Sequence, residues 1–233
     1  MTPSTALLLF TKTASQEAAG KQFVRSDKGK NERISQKLIS HSFRRIKQSG
    51  LPYFVISSPR QRGNSFGEKF TNAVEDIFSL GYQKVIVVGN DSPQLSTQLL
   101  IHAANEMSAA NLVLGPDKRG GIYLLGISKE VYNRNELLNF RWNTAELYSD
   151  FTRWKDRCRL AFNILPALKD VNGSDELQSL LKQKSILLSL RNSILSIVAS
   201  AAIAIIREII FLKNISVQNS IDRRGPPTCS LIS

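Results

Sequence analysis

Apolar residues in this chain occur in short continuous runs that alternate with longer segments of helical periodicity. Five runs of four to six residues are bounded by polar or glycine-containing segments, which is typical of strands buried on both faces. They are Ala6–Phe10, Tyr53–Ile56, Lys84–Gly89, Asn111–Leu114 and Ile122–Ile127. Apolar residues recur at helical spacing over Glu32–Gln48, Phe66–Leu80 and approximately Ser96–Ala109.

Strands that alternate with helices in this way predict βαβ units, and therefore an α/β fold with a mainly parallel open sheet sandwiched by helices. Crossover connections between parallel strands are right-handed, so the loops after the strands meet at one edge of the sheet. Ligands bind at that edge in open α/β folds. The polar, lysine-rich segment Thr11–Asn31 is predicted to be a loop.

The character of the chain changes after about residue 182. We divide it into a transferase-like domain (1–182), an apolar helical appendage (183–213) and a flexible tail (214–233). The uncharged centre of the appendage, Ser193–Ile206, has 14 residues, fewer than the roughly 20 that a membrane-spanning helix needs. Docking of 185–212 on the domain or on a second subunit, binding to a membrane surface, and a short or tilted span remain alternatives.

Charge and cysteine content indicate which partners and which cellular compartment to expect. The chain has 31 basic and 19 acidic residues, a net charge of +12, and ten of the basic residues lie between Lys12 and Lys47. Such a field attracts nucleotides, nucleic acid or acidic lipid. Nucleic acid is not expected as a partner, because the chain lacks aromatic–basic interleaving and any helix-turn-helix or RNA-binding motif. Two distant cysteines and no signal peptide favour the cytoplasm, with membrane association left open.

The turn Gly89–Pro93 follows the clearest buried strand and carries Asp91. A carboxylate at a strand end can bind Mg²⁺ or Mn²⁺, which in turn neutralises a diphosphate. The alternative is that Asp91 caps the helix that follows.

Two later segments could complete such a site. In Gly115–Gly126, the paired glycines Gly120 and Gly121 permit close approach of a ligand, and Lys118 and Arg119 could hold phosphate, although an ordinary turn is the alternative. Asp170 and Asn172 alternate on a predicted strand end and could share a cation. The same segment also reads as a helix start at Ser174.

In their order along the chain, these motifs resemble a bacterial GT-A-like family, the nucleotide-diphospho-sugar transferase type. The family includes a radical-SAM-associated transferase group and is related to molybdenum-cofactor and phospholactate guanylyltransferases. The resemblance covers roughly Ala6–Leu181. The matching pieces are Gln61–Gly63 with Gly67–Phe70, Gly89–Leu95, Gly115–Gly126, Trp142–Thr144 and Asp170–Leu177.

The resemblance implies a metal-dependent transferase with a nucleotide-sugar or nucleoside triphosphate donor, moving a glycosyl or nucleotidyl group. It implies Asp91 as the catalytic residue, with Asp91, Asp170 and Asn172 holding Mg²⁺ or Mn²⁺. The implied nucleotide- or phosphate-binding residues are Lys12, Lys21, Arg62 and Gly63. The implied donor- or acceptor-binding residues are Gly120, Gly121, Tyr123 and Trp142.

Two departures from the family pattern, at Arg119 and in the N-terminal segment, favour an alternative, a catalytically degenerate GT-A-like binding or assembly module. Arg119 stands where the family places an aspartate, whereas Asn172, where an aspartate is common, preserves an oxygen ligand but removes a charge. The N-terminal nucleotide-binding segment keeps Lys12 but lacks the family's Lys-Thr-Arg-Leu core.

His41 and His102 are each expected to serve packing rather than metal binding.

Overall fold

The computed structural model describes residues 4–183 and 187–199, which contain a six-stranded sheet. The strand order is β2-β1-β3-β5-β4-β6. Strand β1 is parallel to β2 and β3, and β4 is parallel to β6, whereas β5 is antiparallel to both of its neighbours. The strands are β1 (Thr5–Thr11), β2 (Tyr53–Ser57), β3 (Lys84–Val88), β4 (Asn111–Pro116), β5 (Ile122–Ser128) and β6 (Ala161–Ile164).

Helices cover both faces of this sheet, as the alternating pattern predicts. They are α1 (Ala14–Gly20), α2 (Lys28–Gln48), α3 (Phe66–Ser79), α4 (Thr97–Glu106), α5 (Arg134–Leu138), α6 (Leu147–Cys158) and α7 (Ser174–Leu181), with a 3-10 turn at Ser58–Arg60. Residues 188–199 are also helical. The prediction of an α/β fold with a mainly parallel sheet is therefore confirmed.

The segment predicted as a lysine-rich loop instead contains α1 and the first turn of α2. Helix α1 has no apolar periodicity, and it is stabilised by its N-cap. The Thr13 hydroxyl accepts a hydrogen bond from Gln16 N, while the Gln16 side chain returns to Thr13 N. This reciprocal capping box satisfies backbone donors that a short helix otherwise leaves unpaired. With its N-cap at Thr13, α1 begins directly after β1 ends at Thr11.

Two apolar cores lie on opposite faces of the sheet. One contains the buried side of α3 and α6, including Phe70, Val74 and Phe151. The other contains residues of α2 and α4, including Ile46 and Leu100. Strand β1 supplies Leu8 to the first core and Leu7 to the second, which explains why all seven of its residues are buried.

A third, smaller core joins the 188–199 helix to the domain. Its Leu190, Ile194 and Ile197 pack with residues of α2 and α7, among them Leu38 and Leu177. Thus the described part of the predicted appendage docks on the domain. The rest of that appendage (184–186 and 200–213) and the predicted tail (214–233) lie outside the described residues. Among the described helices, none is long and apolar enough to cross a membrane.

Candidate functional site

A cavity of about 870 Å³ opens at the edge of the sheet where β1 and β3 end and β5 begins. Its volume is in the range of small-molecule sites. Five of the polar residues predicted for the site line it: Lys12, Lys21, Asp91, Asp170 and Asn172. Gly121, Tyr123 and Trp142 line it as well. These eight residues come from distant parts of the chain and meet in one place.

Lys21 follows α1 and reaches into the cavity floor. Its ammonium group forms an ion pair with Glu17 at 2.8 Å and a second, shorter one with Asp91. Burial opposes the charged ammonium group, but the negative charges of Asp91 and Glu17 outweigh it and raise the pKa of Lys21. Lys21 therefore stays protonated and supplies one fixed positive charge beside Asp91.

The Asp91 turn is held by side chains on several elements. Thr11 Oγ1 donates to Asn90 Oδ1 at 2.8 Å, and Asn90 Nδ2 donates to Asp91 Oδ1 at 2.9 Å. His41 Nε2 lies 3.0 Å from Pro93 O. A carbonyl oxygen only accepts, so His41 carries its proton on Nε2. These bonds fix the turn against α2 and the end of β1.

The alternative role for Asp91, as the cap of the next helix, is wrong. The N-cap of α4 is Ser96, whose hydroxyl accepts a hydrogen bond from Leu99 N. Asp91 lies before that cap, and its side chain is 34% exposed where it lines the cavity. Burial of the turn raises the pKa of Asp91, against the lowering effect of Lys21.

Asp170 lies opposite Asp91, although the predicted strand end at Asp170–Asn172 is wrong. The chain from 165 to 173 forms isolated bridges instead of a strand, and Val171 N donates to Asp91 O at 2.8 Å. Ser92 Oγ donates a hydrogen bond to Asp170 Oδ1. Burial, followed by the charges of Asp91 and Asp117, raises the pKa of Asp170 to about 7 despite the Ser92 bond.

Asp117 is a cavity residue that the sequence reasoning missed. Its Oδ1 accepts hydrogen bonds from Arg119 N at 2.5 Å and Gly121 N at 3.0 Å, and the charge of its carboxylate contributes to the raised pKa of Asp170. Asp117 therefore supplies a carboxylate in the turn where the family pattern has an aspartate at the position of Arg119. An aspartate that accepts from the backbone two to four residues later is a common turn signal, and it was available in the sequence.

Arg119 and Gly120 have roles other than those predicted. Arg119 lines the cavity, but its guanidinium lies 3.5 Å from Glu176 on α7 and is half exposed. Gly120 does not line the cavity, because it packs against the carbonyl of Ala145 with φ of 90°. A β-carbon there would overlap that carbonyl. The prediction that Gly120 contacts a ligand is therefore wrong, whereas Gly121 lines the cavity as predicted.

Arg62 and Gly63 are also corrected, because neither lines the cavity. Arg62 is 67% exposed and pairs with Asp76 of α3 at 2.5 Å. Gly63 adopts φ of 131° in the turn before α3, where a β-carbon would lie 2.6 Å from Glu68 Cβ. Gln61 is the residue of this segment that lines the cavity, and its Nε2 donates to Thr11 O at 2.8 Å.

One wall of the cavity is aromatic. The Trp142 ring lies 4.5 Å from that of Phe70 and 5.2 Å from that of Phe66, measured between centroids. Its Nε1 donates to Leu137 O at 2.7 Å, so the indole is held in place without a ligand. Tyr123 donates its hydroxyl to Pro166 O at 3.0 Å. Both residues therefore offer ring surface rather than hydrogen-bonding groups to the cavity.

The donor set fits a divalent cation by its chemistry. Asp91 is close enough to Asp170 for its charge to raise the pKa of Asp170, and Asn172 adds an amide oxygen to the cavity lining. Oxygen ligands of this kind suit Mg²⁺ or Mn²⁺, and a cation would relieve the repulsion between the carboxylates. Across residues 4–183 and 187–199, no group of three or more His, Cys, Asp or Glu residues is arranged to hold a metal. The predicted set thus depends on Asn172 as its third ligand.

The fold is shared with a solved structure from Desulfovibrio desulfuricans G20, a candidate nucleotide-diphospho-sugar transferase. The two chains are 18% identical, with a TM-score of 0.69 over 84% of this chain and 97% of that one. A cytidylyltransferase from Leptospira borgpetersenii serovar Hardjo-bovis (strain JB197) aligns over 97% of this chain and 99% of that one, with 12% identity and a TM-score of 0.44. The first likeness shows the GT-A-like fold alone, and the second is too weak to add to it.

Sequence comparison gives a family but no curated relative. The profile of the family described as "Uncharacterized protein conserved in bacteria (DUF2064)" matches residues 12–144. That range includes Lys12, Asp91, Asp117 and Trp142. No curated protein matches the chain.

Proposed function

The chain belongs to the DUF2064 family, and from its fold and its cavity we propose that it is a transferase with a nucleotide-sugar or nucleoside triphosphate donor. The observation that carries the proposal is the meeting of Lys12, Lys21, Asp91 and Asp170 at one end of the aromatic-walled cavity. Cations and carboxylates at the carboxyl ends of parallel strands suit a phosphate-bearing ligand, with or without a metal between them.

Lys12 is the cation best placed to contact donor phosphates. It is exposed, lines the cavity, and lies near enough to Asp91 for its charge to lower the pKa of that carboxyl. It forms no ion pair within residues 4–183 and 187–199. Lys21, in contrast, is already paired with two carboxylates. In the proposal Lys12 binds phosphate oxygen directly, and Lys21 orients Asp91.

Asp91, Asp170 and Asn172 would hold Mg²⁺ or Mn²⁺. When bound, such a cation offsets the negative charge that develops on a departing diphosphate. Ser92 and Asn90 hold the two carboxylates in place through their hydrogen bonds. The Trp142 and Phe66 rings offer apolar surface to a base or sugar. Direct attack by an acceptor oxygen needs no protein nucleophile, and the exposed Cys158 lies outside the cavity lining.

A second candidate is the degenerate binding module, which the Lys21–Asp91 ion pair favours. The ammonium group of Lys21 already neutralises the charge of the Asp91 carboxylate. Arg119 pairs with Glu176 instead of facing a ligand. Such a protein would bind the ligand without turning it over.

Thermal unfolding with a panel of nucleotides and nucleotide-sugars tests the proposal. The native protein is compared with Asp91→Asn and, as control, Asp156→Asn, an exposed carboxylate outside the cavity lining. A ligand at about 100 times its Kd stabilises the fold by about 2.7 kcal/mol, which raises Tm by several degrees. We expect a shift that requires Mg²⁺ or Mn²⁺, is lost in Asp91→Asn and persists in Asp156→Asn.

Three other outcomes are informative. A metal-independent shift that persists in Asp91→Asn would contradict the metal assignment. If no ligand of the panel shifts the native protein, the transferase proposal fails. A shift without product formation in an overnight incubation with candidate acceptors would favour the binding module.

A further inference from the structure

We propose that Lys69 is a second phosphate-binding cation, which acts together with Lys12 on the diphosphate of the ligand. The inference deepens the proposed function and rests on it, because both concern the same cavity. Lys69 belongs to the segment Gly67–Phe70, which has no role in the function proposed above. Its surroundings show that its charge is available to a ligand.

The basic side chains of the cavity divide into paired and unpaired ones. Within residues 4–183 and 187–199, those that line the cavity are Lys12, Lys21, Lys69 and Arg119. Lys21 is paired with two carboxylates, and Arg119 is paired with one. Lys12 and Lys69 form no ion pair with a described residue. The cavity therefore offers two uncompensated cations to a ligand.

Lys69 is the more buried of these two cations. It is half-buried, and its ammonium group forms no hydrogen bond with a described residue. It is the fourth residue of α3, near the positive end of the helix dipole, where a cation is disfavoured. The neighbouring Glu68 carboxylate accepts a hydrogen bond from Asn64 N at 2.6 Å, as part of the helix cap. The charge of Lys69 thus stabilises no contact of the fold, whereas a bound anion would compensate it.

The start of α3 packs against the end of β1, the strand that Lys12 follows. The ring of Phe10 lies 5.6 Å from that of Phe66 and 5.9 Å from that of Phe70, between centroids. Phe66 precedes Lys69 by three residues, and Phe70 follows it directly. Lys12 lies two residues after Phe10. The two unpaired lysines therefore come from elements in contact with each other, and both line one cavity.

A phosphate group is the part of the ligand that suits Lys69 best. An ammonium group has donors only, and its strongest partners are charged oxygens. The base and the sugar offer neutral acceptors, and the aromatic wall suits their ring surfaces. A diphosphate carries more negative charge than Lys12 alone can match, and Lys21 would have to leave its carboxylates to help. Lys69 adds a second free cation without breaking an ion pair.

Calorimetric titration with two kinds of probe tests the inference, with Mg²⁺ present. The probes are inorganic pyrophosphate and the diphosphates of adenosine, cytidine, guanosine and uridine. Pyrophosphate reports contacts to the phosphates regardless of the base. Lys69→Met removes the charge and keeps a long side chain. We expect it to bind pyrophosphate and the tightest nucleoside diphosphate at least about tenfold more weakly than the native protein, the loss of one charge-assisted bond.

Three further measurements complete the design. Lys69→Arg keeps the charge and should bind both probes more tightly than Lys69→Met. Lys129→Met is the matched control, because Lys129 is exposed, lies outside the cavity lining and forms no ion pair with a described residue. It should bind like the native protein. Urea denaturation of Lys69→Met should show no loss of stability, which separates a ligand contact from a structural role.

Several results would overturn the inference. If Lys69→Met binds both probes like the native protein while Lys12→Met binds them more weakly, Lys69 takes no part and the proposed function stands without it. If Lys69→Met weakens only the nucleoside diphosphate, Lys69 contacts the base or the sugar instead. If Lys69→Met loses stability, Lys69 serves the fold. If the native protein binds none of the probes, the proposed function itself is contradicted, and the inference fails with it.

Discussion

Lys21 and Arg62 are both expected from the sequence to bind phosphate, yet the fold places them in opposite environments. Lys21 is 10% exposed, lines the cavity and contacts two carboxylates. Arg62 is 67% exposed, lies outside the cavity lining and pairs with one carboxylate of α3. Both follow a strand that ends at the same edge of the sheet, so their difference comes from the local structure that carries each side chain.

That local structure is a capped helix in one case and a glycine turn in the other. Helix α1 places Lys21 four residues after Glu17, which directs both side chains to Asp91. The turn at Gly63 starts α3 and leaves Arg62 beside Asp76 on the outside. Basic residues near a ligand-binding edge thus divide into site and surface residues by their burial and their partners.

The largest expected effect is that of Lys21→Met on stability. Removing the ammonium group leaves Glu17 and Asp91 close together without a cation, and breaking a buried pair costs about 3–5 kcal/mol. Arg62→Ala should cost less than about 1 kcal/mol, because exposed ion pairs contribute little. Urea denaturation of the two variants measures the difference.

A second variant keeps this prediction open to refutation. Adding Glu17→Gln to Lys21→Met removes one of the two stranded charges, so it should recover part of the lost stability. Equal losses in Lys21→Met and Arg62→Ala would show that burial does not separate the two cations.

The two histidines form a second matched pair. His41 is buried against the Asp91 turn, whereas His102 is exposed on α4. Burial, followed by the nearby Arg45, lowers the pKa of His41 to about 4. The unfolded chain takes up a proton at His41 below about pH 6.5, but the folded chain does so only near pH 4. The stability that depends on neutral His41 is therefore complete above pH 6.5 and is lost as the pH falls to 4, by about 3 kcal/mol.

Urea denaturation at several pH values checks this effect. His41→Gln should show a smaller loss of stability than the native protein between pH 6.5 and 4. His102→Gln is the control, since His102 is 57% exposed, and it should follow the native curve. If the stability of His41→Gln falls with pH as steeply as that of the native protein, the assignment of this pH dependence to His41 is contradicted.

Gly120→Ala should have a smaller but measurable effect. The alanine would adopt a φ of 90° that side chains disfavour, and its β-carbon would overlap the carbonyl of Ala145. We expect a loss of about 2 kcal/mol. Gly20→Ala should change stability little, because no atom lies within 4 Å of its β-carbon position. If Gly120→Ala leaves the free energy of unfolding unchanged, the close contact between Gly120 and Ala145 is contradicted, and Gly120 would line the cavity as first predicted.

The sheet was predictable from the sequence because its strands are continuous apolar runs. Strands β1 to β5 lie within one or two residues of their expected bounds. Strand β6 was missed, since Ala161–Ile164 is short and half exposed, with Asn163 inside it. Helix α1 was missed because its stability comes from a capping box rather than from an apolar face.

The candidate site was predictable only where the motif itself carries the side chain into the cavity. Asp91 follows a buried strand directly, so its place was evident. Asp117 depended on a turn that closes onto its own backbone, and Arg62 depended on the direction in which the chain leaves Gly63. Both are three-dimensional properties of short loops, which periodicity does not report.

Nucleotide affinity of two exposed cations gives the most direct test of the central claim, that the cavity binds a phosphate-bearing donor. Lys12 lines the cavity and Arg62 does not, and both are exposed, so truncation should unfold neither. Calorimetric titration should use the nucleotide that stabilises the native protein, in the presence of Mg²⁺. Loss of one charge-assisted bond costs about 1.5–3 kcal/mol, so Lys12→Ala should bind at least about tenfold more weakly than native. Arg62→Ala should match the native affinity. Equal affinities in the two variants, or a loss confined to Arg62→Ala, would contradict the placement of the donor phosphates in this cavity.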